Sequence, residues 1–353
     1  MFVKITNEPR DYAWGSTTLI PDLLGIVPDG RPQAELWLGT HPGSPSRVTG
    51  RAGDLRDVVG ELPYLVKILA AGHTLSLQAH PTTAQAQEGF ARENAAGIPI
   101  DAAERNYKDP YAKPEMIYAL SDEFRALCGF RPVAQTRAVL DAARPGLFPE
   151  LRSDADLRPL FEWLLSGDPE VAAIVELVSA VAADAEGEPW RTVRGLAEAC
   201  PGDPGVAISL LLHTVVLKRG EALYLPAGNI HAYQSGLGIE LMGPSDNVLR
   251  CGLTPKHIDV PELLSIVDFT PVDDPLLVPE VGGGLTVFAP EGAGWELIEA
   301  RGEQELDAGA PAILLVLEGS ASGDGVRVDA PGFAAAAASR VHLDGRVVFA
   351  RAV

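Results

Sequence analysis

Two short stretches, far apart in the chain, carry side chains of the types that hold metal ions. In Gln78-Ala79-His80 the ligand-type groups stand at i and i+2, so on a strand both project from one face. In Pro226-Ala227-Gly228-Asn229-Ile230-His231 a Pro-x-Gly turn sets up a second imidazole. Gly72 stands six positions before Gln78, and Gly220 six before Pro226. The two stretches read as halves of one metal site on paired strands.

Those strands need a scaffold, and 353 residues suffice for two or three domains with a substantial core. An apolar content of 46 % with 22 % charged residues describes an ordinary globular chain. Up to about residue 130 the text is turn-punctuated, with apolar runs such as Ala34-Glu35-Leu36-Trp37-Leu38-Gly39 and Tyr64-Leu65-Val66-Lys67-Ile68-Leu69 that read as strands. From 132 to 205 the pattern turns helical. Asp168 before Pro169 is an N-cap followed by a first-turn proline, and Val171, Ile174, Val175 and Val178 form one apolar stripe. Strands resume near Ser209, with Leu210 to Leu217 and Ala222 to Leu225 on either side of a Gly220-Glu221 turn, and Gly236-Leu237-Gly238 reads as a further turn. After an acidic, proline-rich linker around 271–279 the remainder is all β. There Ile313-Leu314-Leu315-Val316-Leu317 is a core strand, and Asp324-Gly325 and Asp344-Gly345 are hairpin signals. The expected domains are therefore 1–131 with 206–265 as a discontinuous catalytic barrel, 132–205 as a helical insertion, and 266–353 as a C-terminal β domain.

A net charge of −20 argues against nucleic acid as a partner, which would need a basic footprint. No apolar run reaches the roughly 20 residues that span a bilayer, and Met1-Phe2-Val3-Lys4-Ile5 reads as a strand rather than a signal peptide. A cytoplasmic monomer is the expectation. Cys128, Cys200 and Cys251 lack metal-binding spacing and are expected to be buried thiols.

The paired glycine-led motifs resemble those of cupin barrels, with Gln78 where the first histidine usually stands and Ser235 in place of the usual Asn. The resemblance also implies a carboxylate shortly after the first pair, but Ala84 and Gln85 occupy that place. The carboxylate is best sought in Asn106 to Met116, where Glu115 follows a proline at the mouth of the apolar segment Met116 to Leu120. A Gln, two His and one Glu make an N/O set suited to zinc.

Several motifs then match one family in order: Tyr12-Ala13-Trp14-Gly15-Ser16, Ala34-Glu35-Leu36-Trp37, Gln78-Ala79-His80-Pro81, Asn94-Ala95-Ala96-Gly97-Ile98-Pro99, Tyr107-Lys108-Asp109, Lys113-Pro114-Glu115, His231-Ala232-Tyr233, and Ser245 through Lys256. To about residue 270 the chain closely resembles type I phosphomannose isomerases. The resemblance implies a mainly β fold: a cupin-type jelly-roll barrel with a helical insertion and a second, smaller, degenerate cupin-like β domain. It also implies zinc-dependent interconversion of mannose 6-phosphate and fructose 6-phosphate through an enediolate, with one Zn2+ per chain on Gln78, His80, Glu115 and His231. A neutral Gln ligand leaves more positive charge on the metal than a second carboxylate would, which favours an anionic intermediate.

Glu240, Arg250 and Lys256 are the catalytic candidates. Glu240 is a possible proton-transfer base on the strand expected to run back beside the metal strand. Its alternative is a structural carboxylate paired with an arginine. The guanidinium of Arg250 could steady the developing oxyanion. Ser76, Lys113 and Lys256 are candidates for the phosphate, expected across the cleft from the metal, while Trp14, Glu35 and Tyr233 are candidates to line the sugar pocket, with a core position as the equal alternative for Trp14. His41, His73, His213, His257 and His342 have no partner at ligand spacing. Two departures bear on the phosphate side: Thr82-Thr83 stand where relatives carry charge, and Ala112 where they often have histidine. The rival readings are an isomerase of a related aldose phosphate and a non-catalytic sugar-phosphate-binding cupin, which would not need Glu240, Arg250 and Lys256 together.

Overall fold

The computed structural model describes all 353 residues. Nine antiparallel strands form the barrel: Glu35–Leu38, Leu65–Ala71, Leu77–Ala79, Glu115–Ala119, Glu123–Phe130, Leu212–Lys218, Ala222–Leu225, His231–Met242 and Leu249–Gly252. The 12-residue strand His231–Met242 belongs to both walls. Its first half pairs with Leu77–Ala79 and Glu123–Phe130, its second half with Leu65–Ala71 and Glu115–Ala119. Gly236 makes this possible. Its φ is +121°, and a Cβ there would lie 2.9 Å from the Glu123 carbonyl, so the strand bends where a side chain would stop it. The expected turn at Gly236-Leu237-Gly238 is thus a bend inside one strand. Glu240 accordingly stands on the same strand as His231, not on a returning one.

Each wall has its outer face covered. Helices Val133–Ala143, Leu157–Leu164, Pro169–Asp184 and Trp190–Ala199 lie against Leu77, Ala79, Leu127, Phe130, Ile230, Ala232 and Leu249. Asp168 caps the third of these helices by accepting from the Glu170 N–H, ahead of the first-turn proline as expected. The opposite wall packs Leu36, Val66, Ile68, Met116, Tyr118 and Ile239 against Trp295, Leu297, Ile313, Leu315 and Val348 of the second sheet. This double covering explains why Leu65–Ala71 is buried at every position and reads as an unbroken apolar run. Lys67 alone interrupts it, and alternation turns Lys67 inward with Leu69, away from Val66 and Ile68.

The second sheet has ten strands, and two come from the start of the chain. Phe2–Thr6 pairs with Gly332–Ala336, and Arg47–Val48 pairs with Phe2–Thr6. The expectation gave residues 1–131 to the first barrel, but strand periodicity shows only that a strand forms, not which sheet it joins. Asp324-Gly325 turns a hairpin as expected, whereas Asp344-Gly345 lies within the strand Ser339–Ala352. Gly345, at φ +104°, sits opposite Gly319, and a Cβ would meet the Glu318 carbonyl at 2.4 Å. Cys128 and Cys251 are buried, but Cys200 is only half-buried, contrary to expectation.

Candidate metal centre and catalytic cavity

Three strand ends converge to build the centre. Gln78 lies in Leu77–Ala79 directly opposite His231, the first residue of the long strand, and His80 follows one position beyond. Glu115 opens its own strand. His80 Nε2 lies 3.2 Å from Glu115 Oε1, and His231 Nε2 lies 3.2 Å from Glu115 Oε2. The donor atoms of His80, Glu115 and His231 all fall within 4.8 Å of one another, and each residue is 1 % exposed. The Gln78 carboxamide approaches His231 Nε2 at 3.4 Å, and a half-turn about its last bond presents oxygen to the same point.

The hydrogen bonds outside this group aim the two imidazoles. His80 Nδ1 faces the Asn247 carbonyl at 2.6 Å, and His231 Nδ1 faces the Asn229 carbonyl at 3.1 Å. A carbonyl only accepts, so each Nδ1 carries the proton and each Nε2 turns a lone pair inward. His80 Nε2 and Glu115 Oε2 are fully buried without a hydrogen-bond donor between them. Two lone-pair nitrogens facing an unsatisfied carboxylate oxygen are costly unless a cation joins them. The donor set therefore fits zinc. Burial pushes the Glu115 carboxyl up, but the balance, led by the Lys113 ammonium 3.1 Å away, leaves it well below the ordinary carboxylate range. Burial lowers His80 to about 4, which keeps it neutral and able to ligate.

A cavity of about 470 Å³ opens beside this group. It collects nearly every residue singled out in the sequence: Gln78 and Glu115, then Glu240, Arg250, Lys256, Ser76, Lys113, Trp14, Tyr233 and Glu35. Lys113 also contacts the ligand group. Its Nζ lies 3.1 Å from Glu115 Oε1, two positions along the chain from that residue. His41, His213 and His342 are satisfied by Gly43 N–H, the Val272 carbonyl and Glu305, while His73 and His257 are exposed.

Lys67 is absent from the sequence expectations. It stands opposite Glu240 in register, with Nζ 2.9 Å from Glu240 Oε2 and 3.6 Å from Glu35 Oε1, and over the Trp37 ring. Its signal in the sequence is one charge in a buried apolar run. Burial lowers the lysine, but Glu240 and Glu35 overcome this and leave it raised. Burial raises Glu240, and Lys67 only partly offsets the rise. The partner of Glu240 is thus a lysine, not an arginine. Tyr233 is 2 % exposed, is raised well above its ordinary value by burial, and has no hydrogen-bond partner for its hydroxyl.

Comparison with known proteins gives consistent results. A family model for the type I phosphomannose isomerase catalytic domain matches residues 2–133. The mannose-6-phosphate isomerase of Escherichia coli is 45 % identical over 293 residues, covering 75 % of this chain and 74 % of that protein. A crystal structure of mannose 6-phosphate isomerase bound with zinc and yttrium superposes with a TM-score of 0.92 at 36 % identity, covering 99 % of both chains. So does the Salmonella typhimurium enzyme bound to its substrate and zinc, with the same score, identity and coverage. With a shared fold along its whole length and 45 % identity over most of it, the chain belongs to the type I phosphomannose isomerase family.

Proposed function

We propose that this chain is a zinc-dependent isomerase that interconverts mannose 6-phosphate and fructose 6-phosphate, its ion held by Gln78, His80, Glu115 and His231. The observation that carries the reading is the buried His80, Glu115 and His231 group, with its unsatisfied donor atoms at the edge of a cavity that Glu240, Arg250 and Lys256 also line. Zinc bound there supplies a Lewis acid beside the substrate's carbonyl and hydroxyl oxygens.

The chain's own groups divide the remaining work. An aldose–ketose exchange moves a proton between C1 and C2 while negative charge builds on the neighbouring oxygens. Glu240 is the base: burial raises it towards the range where a carboxylate both takes and returns a proton, and Lys67 holds its position. Arg250 lies opposite Gln78 in register and offers a guanidinium to the developing oxyanion. The free hydroxyl of Tyr233 donates to a sugar oxygen, with Trp14 and Glu35 as further walls of the pocket. Ser76 and Lys256 take the phosphate, the role that Lys113 gives up by pairing with Glu115. We place the enzyme in the cytoplasm as a monomer. No helix is long and apolar enough to cross a membrane, and three unpaired cysteines suit a reducing compartment.

The test is a coupled assay on purified protein with its zinc content measured. Conversion of mannose 6-phosphate to fructose 6-phosphate, lost on chelation and restored by zinc, is the expected result. Turnover that survives complete removal of metal would overturn the reading.

A further inference from the structure

The segment that delivers Glu115 has little structure of its own. Between the helix Thr83–Ala95 and the strand Glu115–Ala119 there is neither helix nor strand, so its backbone groups need partners from elsewhere. One buried side chain supplies four of them. Asn247 Oδ1 accepts from Lys108 N–H at 2.7 Å and Asp109 N–H at 3.2 Å. Its Nδ2 donates to the Asp109 carbonyl at 2.8 Å and the Tyr111 carbonyl at 2.9 Å. A carboxamide, with two donors and one doubly accepting oxygen, is the side chain that can fill all four positions. Asn247 is wholly buried, so its carboxamide depends on protein partners rather than bulk water.

The same residue also reaches the metal centre through its backbone, because its carbonyl is the 2.6 Å partner of His80 Nδ1. Two neighbours hold it in place: Ser245 Oγ accepts from the Asn247 N–H at 3.2 Å and donates to Asp109 Oδ1 at 2.8 Å, while Asp109 Oδ2 accepts from the Asp246 N–H at 2.8 Å. We propose that Asn247 is a positioning residue for the metal centre, joining two ligands from distant parts of the sequence. Its carbonyl sets the tautomer and aim of His80, and its side chain fixes the loop that carries Lys113 and Glu115. A shift of the loop and a shift of the imidazole are therefore coupled, and the 3.2 Å approach of His80 to Glu115 is their joint result. The proposal rests on the metal reading above.

Asn247→Ala and Asn247→Asp test it in the full chain. Alanine removes all four side-chain bonds to the loop backbone, and with them the contact of Nδ2 with Asp109 Oδ1. Aspartate keeps the shape and both acceptor contacts but turns an oxygen towards the carbonyls of Asp109 and Tyr111. Zinc affinity is read by competition with a fluorescent chelator, coordination by the visible spectrum of the cobalt-loaded protein, and folding by thermal melting with the metal chelated. The expected result is a metal-free chain that still folds cooperatively but melts below wild type, an altered cobalt spectrum, and zinc affinity weaker by about 10–100-fold, the range for groups that orient metal ligands. Wild-type affinity and spectrum in either folded variant would overturn the proposal. Failure of both variants to fold would overturn it too, leaving a purely structural role. If the wild-type chain binds no zinc, the metal reading itself falls, before any variant is compared.

Discussion

In the second sheet, Arg346 Nε donates to Glu299 at 2.6 Å and its other end reaches the Tyr118 hydroxyl, while Arg351 donates to Glu296. Every one of these charges has an opposite partner. In the barrel, His80, Glu115 and Tyr233 are as deeply buried, yet His80 Nε2, Glu115 Oε2 and the Tyr233 hydroxyl end without one. Both regions are antiparallel β-structure. What separates them is where the satisfaction of buried polar groups must come from. The second sheet pairs its buried charges within the chain and leaves the Trp295 indole N–H as its unpartnered group, whereas the barrel leaves ionisable groups aimed at a common point and a cavity. Unsatisfied buried groups are costly, so the contrast itself marks the working region.

The comparison breaks most completely if Glu115 is not the acceptor around which the open set is built. Glu115→Ala should abolish stoichiometric zinc and reduce turnover by more than about 100-fold, the upper end of what a merely orienting group costs. Metal analysis and the coupled assay check both, and full zinc content in this variant would remove Glu115 from the site. Glu240→Gln sharpens the contrast. It keeps the shape and a hydrogen-bonding group beside Lys67 but removes the proton acceptor. We expect kcat to fall by about 10²–10⁴-fold with zinc retained, the range for a positioned base. An unchanged kcat would mean that the proton moves through another group.

This division is only partly legible in the sequence. Strand runs such as Tyr64 to Leu69, the Asp168-Pro169 helix start and the helical character between 133 and 199 follow from local periodicity and capping, and the structure shows each of them. Gly236-Leu237-Gly238 and Asp344-Gly345 read as turns because a glycine with positive φ serves a turn and a bent strand equally well. Only the pairing of distant strands tells them apart. The same limit hides the placement of Phe2–Thr6 in the second sheet. At the site, spacing alone points to Gln78, His80 and His231, while Glu115 needs the family resemblance. Lys67 carries a signal, but its role depends on Glu240, 173 positions away, and no local pattern joins the two. Asn247 shows the same problem in a loop, since its partners at 108–111 are set by tertiary contact.

Acid should act on the barrel before the second sheet. In the metal-free chain burial lowers His80 to about 4, against roughly 6.5 for a free histidine. The folded value lies below the unfolded one, so the unfolded chain takes up the proton first. The stability contributed by neutral His80 is therefore present above about pH 6.5 and is lost as pH falls towards 4. Burial shifts His41 and His213 in the same direction, whereas the second sheet's His342 is exposed beside Glu305. Melting temperature measured in chelator should fall across this window. His80→Gln should flatten part of that fall, and an unchanged pH profile would show that His80 is not the group responsible.

The smallest effect on turnover should come from the closed pair in the second sheet. Arg346 and Glu299 are 5 % and 4 % exposed, so Arg346→Met leaves a buried carboxylate without its nearest guanidinium. Removing one member of such a pair costs about 3–5 kcal/mol. Arg301 remains 2.9 Å from Glu299, which places the loss near the lower end, about 3 kcal/mol. Tyr118, the other partner of Arg346, packs towards the second sheet, on the opposite strand face from Glu115, so the metal ligands need not move. Urea unfolding should therefore show the loss while kcat, measured at a temperature where the variant is folded, stays at the wild-type value. Adding Glu299→Gln should recover much of the stability, because the uncompensated charge goes with it. A matching loss of kcat in the folded single variant would mean that charge in the second sheet reaches the metal centre, and the separation between the two regions would not hold.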